Sequence, residues 1–141
     1  MTFTAQATIA RPPEEVFDLM ADARNEPHWN SKVTRSTLDS GEPVGPGSRF
    51  TTVNRGRPYA ATITTYERPT RLVFDVTGSG MDITATFRLS PEGAGTRLES
   101  AFDFRPKGLM KVMYPALKGA IAKDVPRQAA SFNAFCENAA G

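Results

Sequence analysis

"MDITATFRLSPEGAGTRLESAFDF", residues 81 to 104, decides how the rest of the chain is read. Met81, Ile83, Ala85, Phe87 and Leu89 alternate with Asp82, Thr84, Thr86, Arg88 and Ser90. After PEGAG, Leu98, Ser100, Phe102 and Phe104 alternate with Arg97, Glu99, Ala101 and Asp103. A period of two on both sides of a glycine-rich turn predicts two antiparallel strands with one apolar face and one wet face.

The same pattern continues upstream. Extended runs are expected at about residues 48 to 55, 58 to 67 and 71 to 78, separated by RG, RPT and GSG, each suited to a tight turn. Together with 81 to 90 and 95 to 104 they form a meander. GEPVGPGS, residues 41 to 48, is a surface loop and not a phosphate cradle, because RFTTVN after it is extended where a helix N-terminus would be needed. VTRSTLDS, from Val33, reads as a further strand, and FTAQATIA places Phe3, Ala5, Ala7 and Ile9 on one side of an N-terminal one. Between those two, RPPEEVFDLMAD combines prolines at a helix start, Glu14 and Glu15 in the first turn, and Val16, Phe17, Leu19 and Met20 as its apolar side. A second short helix around residues 22 to 28 is cut off by Pro27.

Downstream the period changes. Met110, Met113, Leu117, Ile121, Val125, Phe132 and Cys136 recur at helical spacing. Pro115 is expected to open the main helix, and Pro126 to fall inside it, cancel the bond to the Ala122 carbonyl and bend it. A helix from Pro115 to about Asn138 is roughly 36 Å long and matches a ten-residue strand of roughly 33 Å. The expected fold is therefore α+β: a curved antiparallel sheet of six or seven strands wrapped around a long C-terminal helix, with two short helices between the first two strands, all in one domain over residues 1 to 141. One helix cannot cover so wide an apolar face, so a cavity is expected between them.

This order of elements, with "RPPEEVFDLMAD" after the first strand, "PHWN" before the second, "YERPTRLVFDV" across the central turn and "SPEGAGTRLES" at the last hairpin, resembles the START-like superfamily. The resemblance covers essentially the whole chain and is nearest to its SRPBCC members of the polyketide cyclase/dehydrase and lipid-transport-like kind. It implies a helix-grip fold with a ligand cavity beneath the long helix. Carriers of hydrophobic molecules, polyketide aromatase/cyclases, allergen-like proteins and relatives of a chaperone-activating domain share that fold, so it does not choose among them.

The expected cavity lining is Phe50, Tyr59, Phe74, Met81, Phe87, Phe104, Met110, Met113, Tyr114 and Leu117, aromatic walls and adaptable methionines suited to a flat or greasy ligand. Arg35, Asn54, Arg55 and Tyr66 are the polar side chains placed to fix its oxygen atoms if strand register lets them face inward. Trp29 is expected to pack at the core edge with its ring at the cavity mouth.

Other chemistries find little support. His28 is the only histidine and Cys136 the only cysteine, so no metal or cofactor is expected. As a general base His28 would need Glu26 or Asp22 as an orienting partner. Cys136 on the apolar stripe reads as a core residue, and no GxSxG occurs. Seventeen basic against fifteen acidic residues, without a basic run, point away from nucleic acid. No stretch approaches a membrane span, and a lone cysteine with no leader-like start suggests the cytoplasm. Three readings follow: binding or transport of a small hydrophobic ligand; a cyclase or dehydratase acting on an enolisable substrate; and a protein-interaction module of the chaperone-activator or toxin-like type, whose signature would be a filled core and an exposed apolar patch. Composition leaves ligand identity and oligomeric state open.

Overall fold

The structure, a computed structural model, describes residues 2–139. Its sheet comprises β1 (Thr2–Ile9), β2 (Val33–Leu38), β3 (Arg49–Asn54), β4 (Arg57–Glu67), β5 (Arg71–Thr77), β6 (Met81–Glu92) and β7 (Gly95–Pro106). All pairings are antiparallel, and the spatial order is β1-β7-β6-β5-β4-β3-β2. Helix α1 (Pro13–Ala21) and a 3-10 helix (Ala23–His28) lie between β1 and β2, and α2 (Met110–Ala139) closes the fold. This is the helix-grip arrangement.

The opening hairpin keeps the expected phase: Phe87 sits opposite Ser100, Ala85 opposite Phe102 and Ile83 opposite Phe104. Two bulges, between Val33 and Arg35 and between Ile63 and Thr65, set two residues against one and raise the local twist, which helps a seven-stranded sheet curl.

Half of the concave face is filled. Val16, Phe17 and Met20 of α1 pack with Phe50, Ile63, Leu72 and Leu89, while Phe132 and Cys136 bring the last third of α2 onto the same core. Asp18 of α1 takes a two-pronged hydrogen bond from Arg68 at the β4–β5 turn. The end of α2 is tied to β1 where Asn133 Nδ2 donates to the Thr8 carbonyl and the Ala10 N–H to Glu137.

Helix α2 starts five residues earlier than the prolines suggest and runs through both Pro115 and Pro126. Each proline deprives one carbonyl of its partner, at Lys111 and at Ala122, but these residues are exposed, so water can replace the lost bond. Only Tyr114, Val125, Phe132 and Cys136 of this helix are buried, and three of the four lie in its second half. Its first half is therefore held away from the sheet.

Candidate ligand cavity

A cavity of about 440 Å³ lies between the concave sheet and the part of α2 from Met110 to Gln128. Its walls come from most of the fold. Tyr59 of β4, Phe74 of β5, Met81 and Phe87 of β6 and Phe104 of β7 form the sheet side. Met110 and Leu117 face them from α2, Trp29 closes the inner end, and Arg55 with Arg57 stands at the β3–β4 turn, exposed at the rim.

Local structure explains these placements. Arg55 has φ 51 and Gly56 φ 78, the two positive values of a two-residue hairpin turn, so the arginine accepts a left-handed backbone at the cavity rim. Gly78 lies under the Tyr59 ring: a Cβ there would sit 2.4 Å from the ring edge, so only glycine lets the ring lie across the β5–β6 turn. The Trp29 ring meets Phe132 edge-on with centroids 5.3 Å apart, which joins the cavity's inner wall to the core.

Three of the ten expected lining residues, and two of the four polar candidates, lie elsewhere. Phe50 faces the concave side but is fully buried within the filled half, against Phe74. Met113 is 48% exposed. Tyr114, one position on, is buried outside the cavity; among the described residues its hydroxyl has no hydrogen-bond partner, and burial pushes its pKa up. Arg35 is exposed because the adjacent bulge reverses the alternation: Val33 lies opposite Asn54, whereas Ser36, not Arg35, is set against the inward-facing Thr52. Of the other polar candidates, Asn54 lines the cavity, and Tyr66 turns under α1 to meet the Phe17 ring edge-on at 5.1 Å. His28 is exposed and stacked on Phe135, outside the cavity. Cys136 is buried, and loss of solvent pushes its thiol up to about 12, the behaviour of an inert core residue.

The cavity also has a polar side that the sequence reading missed. Lys32, just before β2, forms an ion pair with Asp124 of α2, and Gln128 one turn further on donates to the same carboxylate. Asn30 donates its side-chain amide to Glu26 Oε2 at 3.2 Å and accepts from the Lys32 N–H at 3.2 Å. Glu26 has no cationic partner among the described residues, and burial pushes its carboxyl up to about 7, opposed by the Asn30 hydrogen bond. The signal for Asp124 and Gln128 was present: they interrupt the stripe of Leu117, Ile121 and Val125 at positions that share its face.

With this fold and cavity, the chain belongs to the polyketide cyclase/dehydrase and lipid transport family, whose model matches residues 1–135. It is a START-like, SRPBCC-type protein. No curated protein matches it in sequence. Among solved structures it is similar to a protein of Thermus thermophilus, with 18% identity, a TM-score of 0.79 and 100% of both chains covered. A START superfamily protein of Mycobacterium smegmatis shares 16% identity at a TM-score of 0.73, with 98% of each chain covered. A protein from the dynemicin biosynthetic locus shares 13% identity at a TM-score of 0.72, over 98% of this chain and 48% of that one. No helix among the described residues is long and apolar enough to cross a membrane, and no group of three or more His, Cys, Asp or Glu residues there could hold a metal ion.

Proposed function

We propose that the protein binds a small hydrophobic molecule, lipid-like or aromatic, in the cavity between the sheet and α2. The observation that carries this reading is the cavity itself: about 440 Å³, walled mainly by aromatic and aliphatic side chains, within the range of small-molecule sites. Tyr59, Phe74, Phe104, Met110 and Leu117 supply apolar contact, and Arg55 is the cation that meets a polar end at the rim. The family's description supports it, since lipid transport and polyketide chemistry both begin with such a ligand. A cavity of this size counts against the interaction-module reading, which calls for a filled core. We also propose that the protein acts in the cytoplasm, with which its lone buried thiol, Cys136, is compatible.

Native mass spectrometry of freshly expressed protein tests this. A mass above that of the chain, shed on denaturation as an apolar compound, is the expected result. A bare chain that also fails to saturate with an apolar fluorescent probe would remove the proposal. Return of the compound unchanged after incubation identifies carriage, and its conversion identifies a cyclase or dehydratase.

A further inference from the structure

The 3-10 helix between α1 and β2 presents one face to the cavity. Three residues complete a turn of such a helix, so side chains three apart stand one above another. Ala23, Glu26 and Trp29 have that spacing, and all three line the cavity. The Trp29 N–H donates to the Glu26 carbonyl at 3.1 Å, the bond that holds the register. Ala23 is too small to fill the space before the other two.

The polar groups beside the 3-10 helix are mostly engaged already. Lys32 and Gln128 are committed to Asp124, and Asp22 is committed to Arg24. Asn30 spends its amide on Glu26 and its carbonyl oxygen on the Lys32 N–H. Thr52, Asn54, Arg55, Arg57, Tyr59 and Ser79 keep hydrogen-bonding capacity on the sheet side, and on the 3-10 helix two groups that share one face keep it: the second oxygen of Glu26, since Asn30 occupies Oε2, and the indole N–H of Trp29.

Resting on the reading of the cavity as a ligand site, we infer that the Glu26 carboxyl and the Trp29 indole, on one face of the 3-10 helix, together donate hydrogen bonds to one acceptor oxygen of an apolar ligand that bears a carbonyl group. A carboxyl with Asn30 on one oxygen carries its proton on the other and points a donor into the cavity. The indole can only donate. Two donors on one face match the two lone pairs of a ketone or ester oxygen, and leaving either unmatched in an apolar cavity is costly. A carboxylate ligand would be repelled once Glu26 ionised.

The charged surroundings of Glu26 are accounted for element by element. On its own helix and just before it, Asp22 and Arg24 neutralise each other, and His28 turns outward onto Phe135. Toward β2 stands Lys32 and on α2 Asp124, paired together; at the β3–β4 turn stand Arg55 and Arg57. α1 contributes Met20. Among the described residues no ion pair fixes the Glu26 charge, consistent with a carboxyl pushed up to about 7 by burial.

The experiment compares two neutral fluorescent probes, the naphthyl ketone prodan and the oxygen-free N-phenyl-1-naphthylamine. Prodan affinity for the wild type is expected to fall roughly tenfold for each pH unit above about 7, whereas the amine probe binds equally throughout. Glu26→Gln, which keeps a donor, retains prodan binding and loses its pH dependence; Trp29→Phe weakens prodan several-fold and leaves the pH profile in place. Prodan binding that is flat with pH in the wild type, a pH profile that persists in Glu26→Gln, or parallel weakening of both probes would overturn the inference. Wild-type protein that binds neither probe would instead overturn the ligand-cavity reading beneath it.

Discussion

Lys32 and Asp124 form an ion pair that ties the start of β2 to the middle of α2 along the cavity wall. The side chains are 27% and 23% exposed, so the pair is neither a surface bridge nor a dry one. Gln128 adds a second bond to the carboxylate. The far end of α2 is anchored to β1 and the residues just after it, Asn133 to Thr8 and Glu137 to Ala10 and Arg11. The pair is therefore the tie that keeps the middle of the helix from swinging off the cavity. Asp124→Ala should cost about 1–2 kcal/mol, between the values for exposed and buried pairs, because it strands a partly buried ammonium. It should also speed release of an apolar probe. A double-mutant cycle with Lys32→Met reads the coupling, and a coupling near zero with unchanged release would show that the pair does not hold the helix.

Neighbours in sequence, Trp29 and His28 face opposite ways. The indole joins Phe132 and lines the cavity, while the imidazole lies exposed against Phe135. Trp29→Ala should lower stability by about 2–3 kcal/mol, less than for a fully buried tryptophan because one side of the ring borders the cavity. His28→Ala should cost about 0.5 kcal/mol, the stacking contribution of an exposed ring. Chemical denaturation of both variants checks the contrast; equal losses would mean that the imidazole carries structure.

The strands, both short helices and the long helix were legible because periods of two and 3.6 are carried by the apolar residues themselves, as from Met81 to Leu89 and from Leu117 to Val125. Inward-facing residues not separated from their strand's phase by a bulge, such as Tyr59, Phe74 and Phe104, followed from the same alternation. What failed was phase beyond a bulge. One extra residue near Thr34 turned Arg35 outward, whereas the one near Thr64 leaves Tyr66 on the inner side as expected, but under α1 rather than in the cavity. No local pattern announces a bulge in a threonine-rich strand. The part of the polar side before β2 was hidden for a different reason: Ala23, Glu26 and Trp29 share a face in a 3-10 helix, whose period of three is invisible to a search for 3.6.

Gly78 and Tyr59 give a steric prediction. A methyl group at position 78 would lie 2.4 and 2.6 Å from two ring carbons of Tyr59 and 3.1 Å from the Met81 carbonyl. Those distances are well inside van der Waals contact, so the ring must move from its place over the turn. Gly78→Ala should therefore cost about 1–3 kcal/mol, as overpacking does, and change probe affinity because Tyr59 lines the cavity. The same change at Gly45, where an added Cβ meets nothing, should alter neither. Thermal melts and probe titrations of the two variants make the comparison; a silent Gly78→Ala would place the ring elsewhere in solution.

Glu26 also sets a pH dependence of folding. Its carboxyl is held at about 7 in the folded chain against an ordinary 4.5, chiefly because burial disfavours the charged form. Below pH about 4.5 both folded and unfolded chains carry the proton, and this residue makes no difference to stability. Between about 4.5 and 7 the unfolded chain has released the proton and the folded chain has not, so the folded state binds more protons and stability falls as pH rises. Above about 7 both are ionised and the loss levels off at about 3 kcal/mol, at 1.36 kcal/mol per pKa unit. Glu26→Gln keeps the shape and the Asn30 contact without the titration, so it should match the wild type near pH 4.5 and exceed it by about 2–3 kcal/mol near pH 8. Urea denaturation across that range measures the difference. If the two curves run parallel with pH, Glu26 ionises in the folded protein as it does in water, and the cavity is wetter around it than its apolar walls imply.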